Sequence, residues 1–263
     1  MGTGASVLPH ITRDTTDRNR TSPFAFTGNK FEFRMPGSSL SVANANIVLN
    51  TAVADILEKI CGQLEGIPSD KAEDELRKIL KDLLTKHKRI LFNGNGYTEE
   101  WVEEAARRGL DNLKSVPEAM PRWISGKSIS LFAHHHILTP EEMHSRYEIL
   151  LENYSKTIHI ESLTLQEMTR KEFMQAIVSY MDSLSTEAAR KKSLVPDMAC
   201  SAELEILGEL DRDAEGIMKA LHQLESDTQD AEKIADCQES ADFYQSTVLA
   251  DMDELRSRID HAE

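Results

Sequence analysis

Apolar positions along this chain recur mainly at intervals of three and four, the period of a helix with one buried face. Ile47, Val48, Thr51, Ala52, Asp55, Ile56, Lys59 and Ile60 form a mostly apolar stripe. They predict a helix over about residues 45–64, with Ser41 or Asn44 as its cap and Gly66-Ile67-Pro68-Ser69 as its end. Leu76, Ile79, Leu80, Leu83 and Leu84 share one face of a second helix, over about residues 75–89. Thr98 is a candidate N-cap before Glu99, Glu100 and Trp101, and Gly109 is placed to end that helix. The stretch Pro117 to Trp123 reads as irregular, because proline interrupts a helix.

Thr139-Pro140-Glu141-Glu142 is a strong helix start: cap, proline at the first helical position, then acids. The helix it opens carries Met143, Tyr147, Leu150, Leu151 and Tyr154, and a second helical stretch covers about residues 157–189. The methionines and aromatics there read as packing rather than a cofactor box. Lys191 to Pro196 breaks the pattern. Leu204, Leu207, Leu210, Ala214, Ile217, Leu221 and Leu224 then recur at coiled-coil spacing. A last helix, over about residues 229–259, turns Ile234, Ala241, Tyr244, Val248, Leu255 and Ile259 inward. These two are expected to pair as an antiparallel hairpin joined near Ser226-Asp227.

One stretch departs from the helical period. Ser22 to Phe26 is apolar and aromatic, Thr27-Gly28-Asn29-Lys30 is turn chemistry, and Phe31-Glu32-Phe33-Arg34 alternates as a strand does. On a strand, Glu32 and Arg34 share one face while Phe31 and Phe33 share the other. In a hairpin, Arg20 lies near the Glu32/Arg34 face. Two arginines flanking a carboxylate suit a site for a metal ion and an anionic substrate. The plain alternative is a cross-strand salt bridge on an exposed face.

Composition narrows the function classes. The chain has 263 residues, enough for one or two domains, and a formal net charge of −15. That charge disfavours nucleic acid and anionic membrane surfaces as partners. No apolar run is long enough for a transmembrane helix, and the N-terminus has no apolar signal core. Cys61, Cys200 and Cys237 have no metal-ligand spacing and read as buried or neutral thiols in a reducing cytosol. Asn93-Gly94-Asn95-Gly96 matches no phosphate-binding fingerprint and reads as a double turn. His134, His135 and His136 are adjacent, and three consecutive side chains of a regular element cannot all face one metal.

Asn-Arg-Thr-Ser (19–22) followed by Phe-Glu-Phe-Arg (31–34) resembles the late catalytic hairpin of glutamine synthetases. Continued into Met35 to Ala54, and joined by Leu91 to Leu113 and Ser145 to Met168, the likeness is to the type III enzymes. The resemblance implies a ligase that makes glutamine from glutamate, ammonia and ATP through a γ-glutamyl phosphate, with Mg2+ or Mn2+. It implies a cytoplasmic location and a homo-oligomer. It assigns Glu32 as a metal ligand, Arg34 to the substrate glutamate, Arg20 to the transferred phosphate and nucleotide, and Lys30 to the nucleotide. Ala25 stands where many type I enzymes carry a further arginine, a type III trait.

The remaining metal ligands of such an enzyme are expected upstream of this chain, and its tail downstream. The chain by itself is therefore expected to be inactive. The expected fold is mainly α (α+β): a β-hairpin remnant of a catalytic sheet, then a helical region with a long antiparallel hairpin. Residues 1–17 are the expected lead-in, 18–66 the piece of the catalytic domain, and 67–263 the helical region, with the hairpin over about 202–260. The competing reading is a non-catalytic helical interaction or oligomerisation module.

Overall fold

The computed structural model describes residues 24–26, 31–34, 37, 40–92 and 95–263. Among these the chain is mainly α-helical. A short antiparallel pair, β1 (Phe24–Phe26) and β2 (Phe31–Phe33), precedes ten α-helices. Its register sets Phe24 against Phe33, Ala25 against Glu32 and Phe26 against Phe31.

The described residues fall into two compact units. One comprises those up to Asn112 together with Ser130–Ile137, and the other comprises Leu113–Ile129 and Leu138–Glu263.

In the first unit, α1 spans Val42–Leu64, and the Ser41 hydroxyl accepts from the Ala43 amide at 3.2 Å. Gly66, at φ +80°, turns the chain out of it in a conformation that a Cβ would strain. α2 (Ala72–Lys86) begins earlier than its apolar stripe, because Glu73, Asp74 and Glu75 fill its first turn. Carboxylates there meet the unpaired amides and the positive end of the helix dipole. α3 spans Glu99–Arg107. Thr98 stands at its cap position, but its hydroxyl donates to the Asn95 carbonyl instead of capping. Gly109, at φ +68°, does end this helix: its amide bonds to the Ala106 carbonyl and that of Leu110 to the Ala105 carbonyl, a Schellman motif. Phe92 stacks on Trp101 at 4.3 Å, and Arg108 donates to the Leu91 carbonyl at 2.7 Å. Of the cysteines expected to be buried or neutral, Cys61 is exposed and so is not a buried one.

The second unit is a helical bundle. The segment read as irregular is a helix, α4 (Val116–Trp123), with Pro121 inside it. Two features make this possible. Ser115 and Glu118 form a complete capping box. Pro121 also has no amide to give the Pro117 carbonyl, and the Gln238 side-chain amide donates to that carbonyl at 3.1 Å instead.

α5 (Gly126–His134) runs across the boundary between the units. α6 (Pro140–Met168) starts where its signal places it, with a capping box between Thr139 and Glu142. The break expected between residues 154 and 157 is absent. A π-turn at Thr169–Phe173 joins α6 without interruption to α7 (Met174–Leu194).

α8 spans Ser201–Ala231, α9 Cys237–Phe243 and α10 Leu249–Ala262, the last two linked by a π-turn. α8 and α9–α10 form the expected antiparallel hairpin, but its joint lies at residues 232–236, not at Ser226-Asp227. Asp236 caps the return, accepting from the amides of Gln238 and Glu239. Thr228 continues the helix because its side chain is used inside it. The hydroxyl donates to the Leu224 carbonyl at 2.6 Å and meets Ser162 Oγ at 2.8 Å. Ile217, Leu221, Leu224, Val248 and Leu255 are fully buried between these helices and α6. The apolar seam weakens toward the start of α8, where Leu204 is exposed.

Candidate functional site

The candidate site begins on β2. Because strand residues alternate faces, Glu32 and Arg34 project together, and Arg34 Nη2 lies 3.5 Å from Glu32 Oε2. The Arg34 side chain is 26% exposed and that of Glu32 41%. Phe31 and Phe33 project to the opposite face, at 61% and 38%. The structure therefore brings together two of the four residues singled out in the sequence. The other two, Arg20 and Lys30, lie outside the described residues, as does the turn between the strands.

A guanidinium is a planar fork of N–H donors whose geometry matches a carboxylate or phosphate. A hard divalent ion asks for more. Mg2+ or Mn2+ prefers a shell of oxygen donors gathered at about 2 Å. Among the described residues, the one group of three or more His, Cys, Asp or Glu side chains placed to share an ion is Glu58, His134 and His135, which excludes Glu32. The described residues thus supply one hard donor at β2 and not a complete shell.

A family profile described as the glutamine synthetase C-terminal domain matches residues 75–192. The glutamine synthetase of Butyrivibrio fibrisolvens is 53% identical over 258 residues, covering 96% of this chain and 36% of the relative. Over nearly its whole length the chain is similar to glutamine synthetases. A type-3 glutamine synthetase of Dictyostelium discoideum is 37% identical over 272 residues, all of this chain and 36% of the relative. The glutamine synthetase of Bacteroides fragilis (strain YCH46) is 36% identical over 273 residues, 99% of this chain and again 36% of the relative. The chain thus spans about a third of the length of the curated relatives it matches.

The profile match lies over α2 to α7 and not over the strand pair. Glu32 and Arg34 were legible from strand alternation. Sequence reasoning missed the convergence of Glu58 with His134 and His135, because these residues lie far apart in the chain. The adjacent histidines were the visible signal, and Glu58 had none. Among the described residues, no helix is long and apolar enough to cross a membrane.

Proposed function

We propose that this chain is the part of a glutamate–ammonia ligase that carries the E-x-R strand of the active site. In this reading the Arg34 guanidinium binds a carboxylate of the substrate glutamate, and Glu32 beside it fixes the orientation of the fork. Arg20 neutralises the phosphoryl group passed from ATP to the glutamate side chain, and Lys30 faces the nucleotide. Phosphoryl transfer depends mainly on positioning and charge neutralisation, which is what arginines and lysines at these places supply. Glu32 gives one oxygen donor toward a divalent ion whose other donors come from elsewhere in the enzyme, and the chain alone does not turn over. The complete enzyme assembles as a homo-oligomer.

The observation that carries this reading is 53% identity to a glutamine synthetase across 96% of the chain, with Glu32 and Arg34 paired on one strand face. Apolar side chains of α1 and α2 left open, such as Leu57 at 55% and Leu84 at 67% exposure, fit further protein covering them.

The test is glutamine formation from glutamate, ammonia and ATP with Mg2+ or Mn2+. The chain is assayed alone and mixed with the portion of the Butyrivibrio fibrisolvens relative that it does not match. Activity is expected only in the mixture, with a loss of about a hundredfold or more in Glu32→Ala, the scale of removing one essential electrostatic group. Turnover by the chain alone would overturn the need for outside donors. Silence in both, with a folded chain, would overturn the catalytic contribution.

A further inference from the structure

The last turn of α5 brings two of the three adjacent histidines to α1. The helix closes with a Schellman motif: the His136 amide bonds to the Ala133 carbonyl, and that of Ile137 to the Phe132 carbonyl. The left-handed position of this motif, usually glycine, is taken by His136 at φ +52°. That residue divides the run. His134 and His135 stay on the helix side, while His136 is turned out and exposed. Phe132 is only 2% exposed, so packing holds the turn that carries the pair.

Facing them is one surface of α1. His134 Nε2 lies 2.7 Å from Glu58 Oε2, and the two imidazole rings stand nearly perpendicular with centroids 4.8 Å apart. His135 Nε2 lies 3.8 Å from the same Glu58 oxygen and 3.6 Å from Asp55 Oδ1. That nitrogen is shut off from solvent and has no hydrogen-bond partner. A buried ring nitrogen without a partner is costly in a folded protein, and a metal–nitrogen bond would remove the cost. Asp55 is one helical turn before Glu58, and its other oxygen accepts from Lys59 Nζ at 2.5 Å. Lys59 thereby offsets one of the two carboxylate charges and leaves Oδ1 toward His135.

We propose that Glu58, His134 and His135 bind a divalent transition-metal ion of the zinc class, with Asp55 beside them. The three ligand atoms all lie within 4.8 Å of one another. In a tetrahedral zinc site with bonds of about 2.0–2.1 Å, ligand atoms stand about 3.3 Å apart. The observed separations bracket that value, and the exposed Glu58 side chain is free to make the adjustment. Two imidazoles and a carboxylate select zinc, copper or nickel over magnesium. This site is thus distinct in chemistry from the hard-oxygen donor Glu32, and it does not rest on the ligase reading. It clamps α1 to the end of α5 and leaves a fourth position for Asp55 or water.

The test is calorimetric titration of the full chain with zinc ion, with cobalt(II) absorption as a second readout. One zinc per chain is expected in the micromolar range. Weakening of about tenfold or more is expected in each of Glu58→Gln, His134→Ala and His135→Ala, with no change in His136→Ala. Cobalt(II) should give the visible bands of a tetrahedral ion, and Glu58→Gln should remove them. If Glu58→Gln binds as the unaltered chain does, the histidine run chelates metal by itself and the site is refuted. Loss of binding in His136→Ala, or no saturable binding at all, would refute it as well.

Discussion

α1 and α8 are long amphipathic helices of one chain, yet they end in different surroundings. Of the 23 residues of α1, only Thr51 is buried, while Val53, Ile56 and Leu57 are exposed. α8 buries Leu210, Ile217, Leu221, Leu224, Thr228 and Ala231, the last five at alternating intervals of four and three. Hydrophobic periodicity thus reports which side of a helix is apolar, but not whether this chain holds the surface that covers it. α8 meets its cover within the chain, in α6, α7 and α10. α1 meets less, and it carries carboxylates toward the histidines of α5.

That contrast should be largest at buried leucines. Leu221→Ala, in the bundle core at 0% exposure, should cost about 2–5 kcal/mol through lost burial and the cavity left behind. Leu84→Ala on α2, at 67% exposure, should change stability by less than about 0.5 kcal/mol. Urea midpoints of the two variants measure the difference directly. Equal losses would mean that α2 is covered in solution.

A smaller effect is expected at Gln238, which serves two elements at once. Its amide replaces the hydrogen bond that Pro121 cannot make, and its carbonyl accepts from the Tyr147 hydroxyl at 2.8 Å. Gln238→Leu leaves both partners unpaired and should cost about 1–3 kcal/mol, read from the thermal midpoint. Amide exchange should quicken first in α4. Faster exchange in α2 instead would separate α4 from this bond.

The smallest effect depends on pH. The Asp251 carboxyl on α10 is pushed up to about 6, first by burial and then by Asp227 on α8, whose carboxylate faces it. Its folded pKa exceeds its unfolded one, so the folded state holds the extra proton. The stability this adds is present at low pH and lost as pH rises through about 6. Asp251→Asn should therefore stabilise the chain at neutral pH by about 1 kcal/mol, allowing for solvent screening. It should also flatten the thermal midpoint between pH 5 and 7. A pH dependence unchanged in the variant would place the titration elsewhere.

The bundle was more legible than the site. Thr139-Pro140-Glu141-Glu142 marked the start of α6 because caps and proline act within one turn. Gly109 marked the end of α3 for the same local reason. Pro121 misled, because its remedy is a side chain in α9. Ser226-Asp227 read as a turn, but Thr228 is buried against Ser162 of α6, and that contact keeps α8 helical up to Ala231. At β2, alternation alone placed Glu32 with Arg34.

The sequence by itself determined the helix faces, the cap at Thr139, the stop at Gly109 and the pairing at β2, since each depends on residues within a few positions of one another. Tertiary structure alone decided that Glu58 stands against His134 and His135, that Gln238 completes α4, and that Asp251 meets Asp227. Each of these joins groups far apart in the chain, and only packing sets the distance between them.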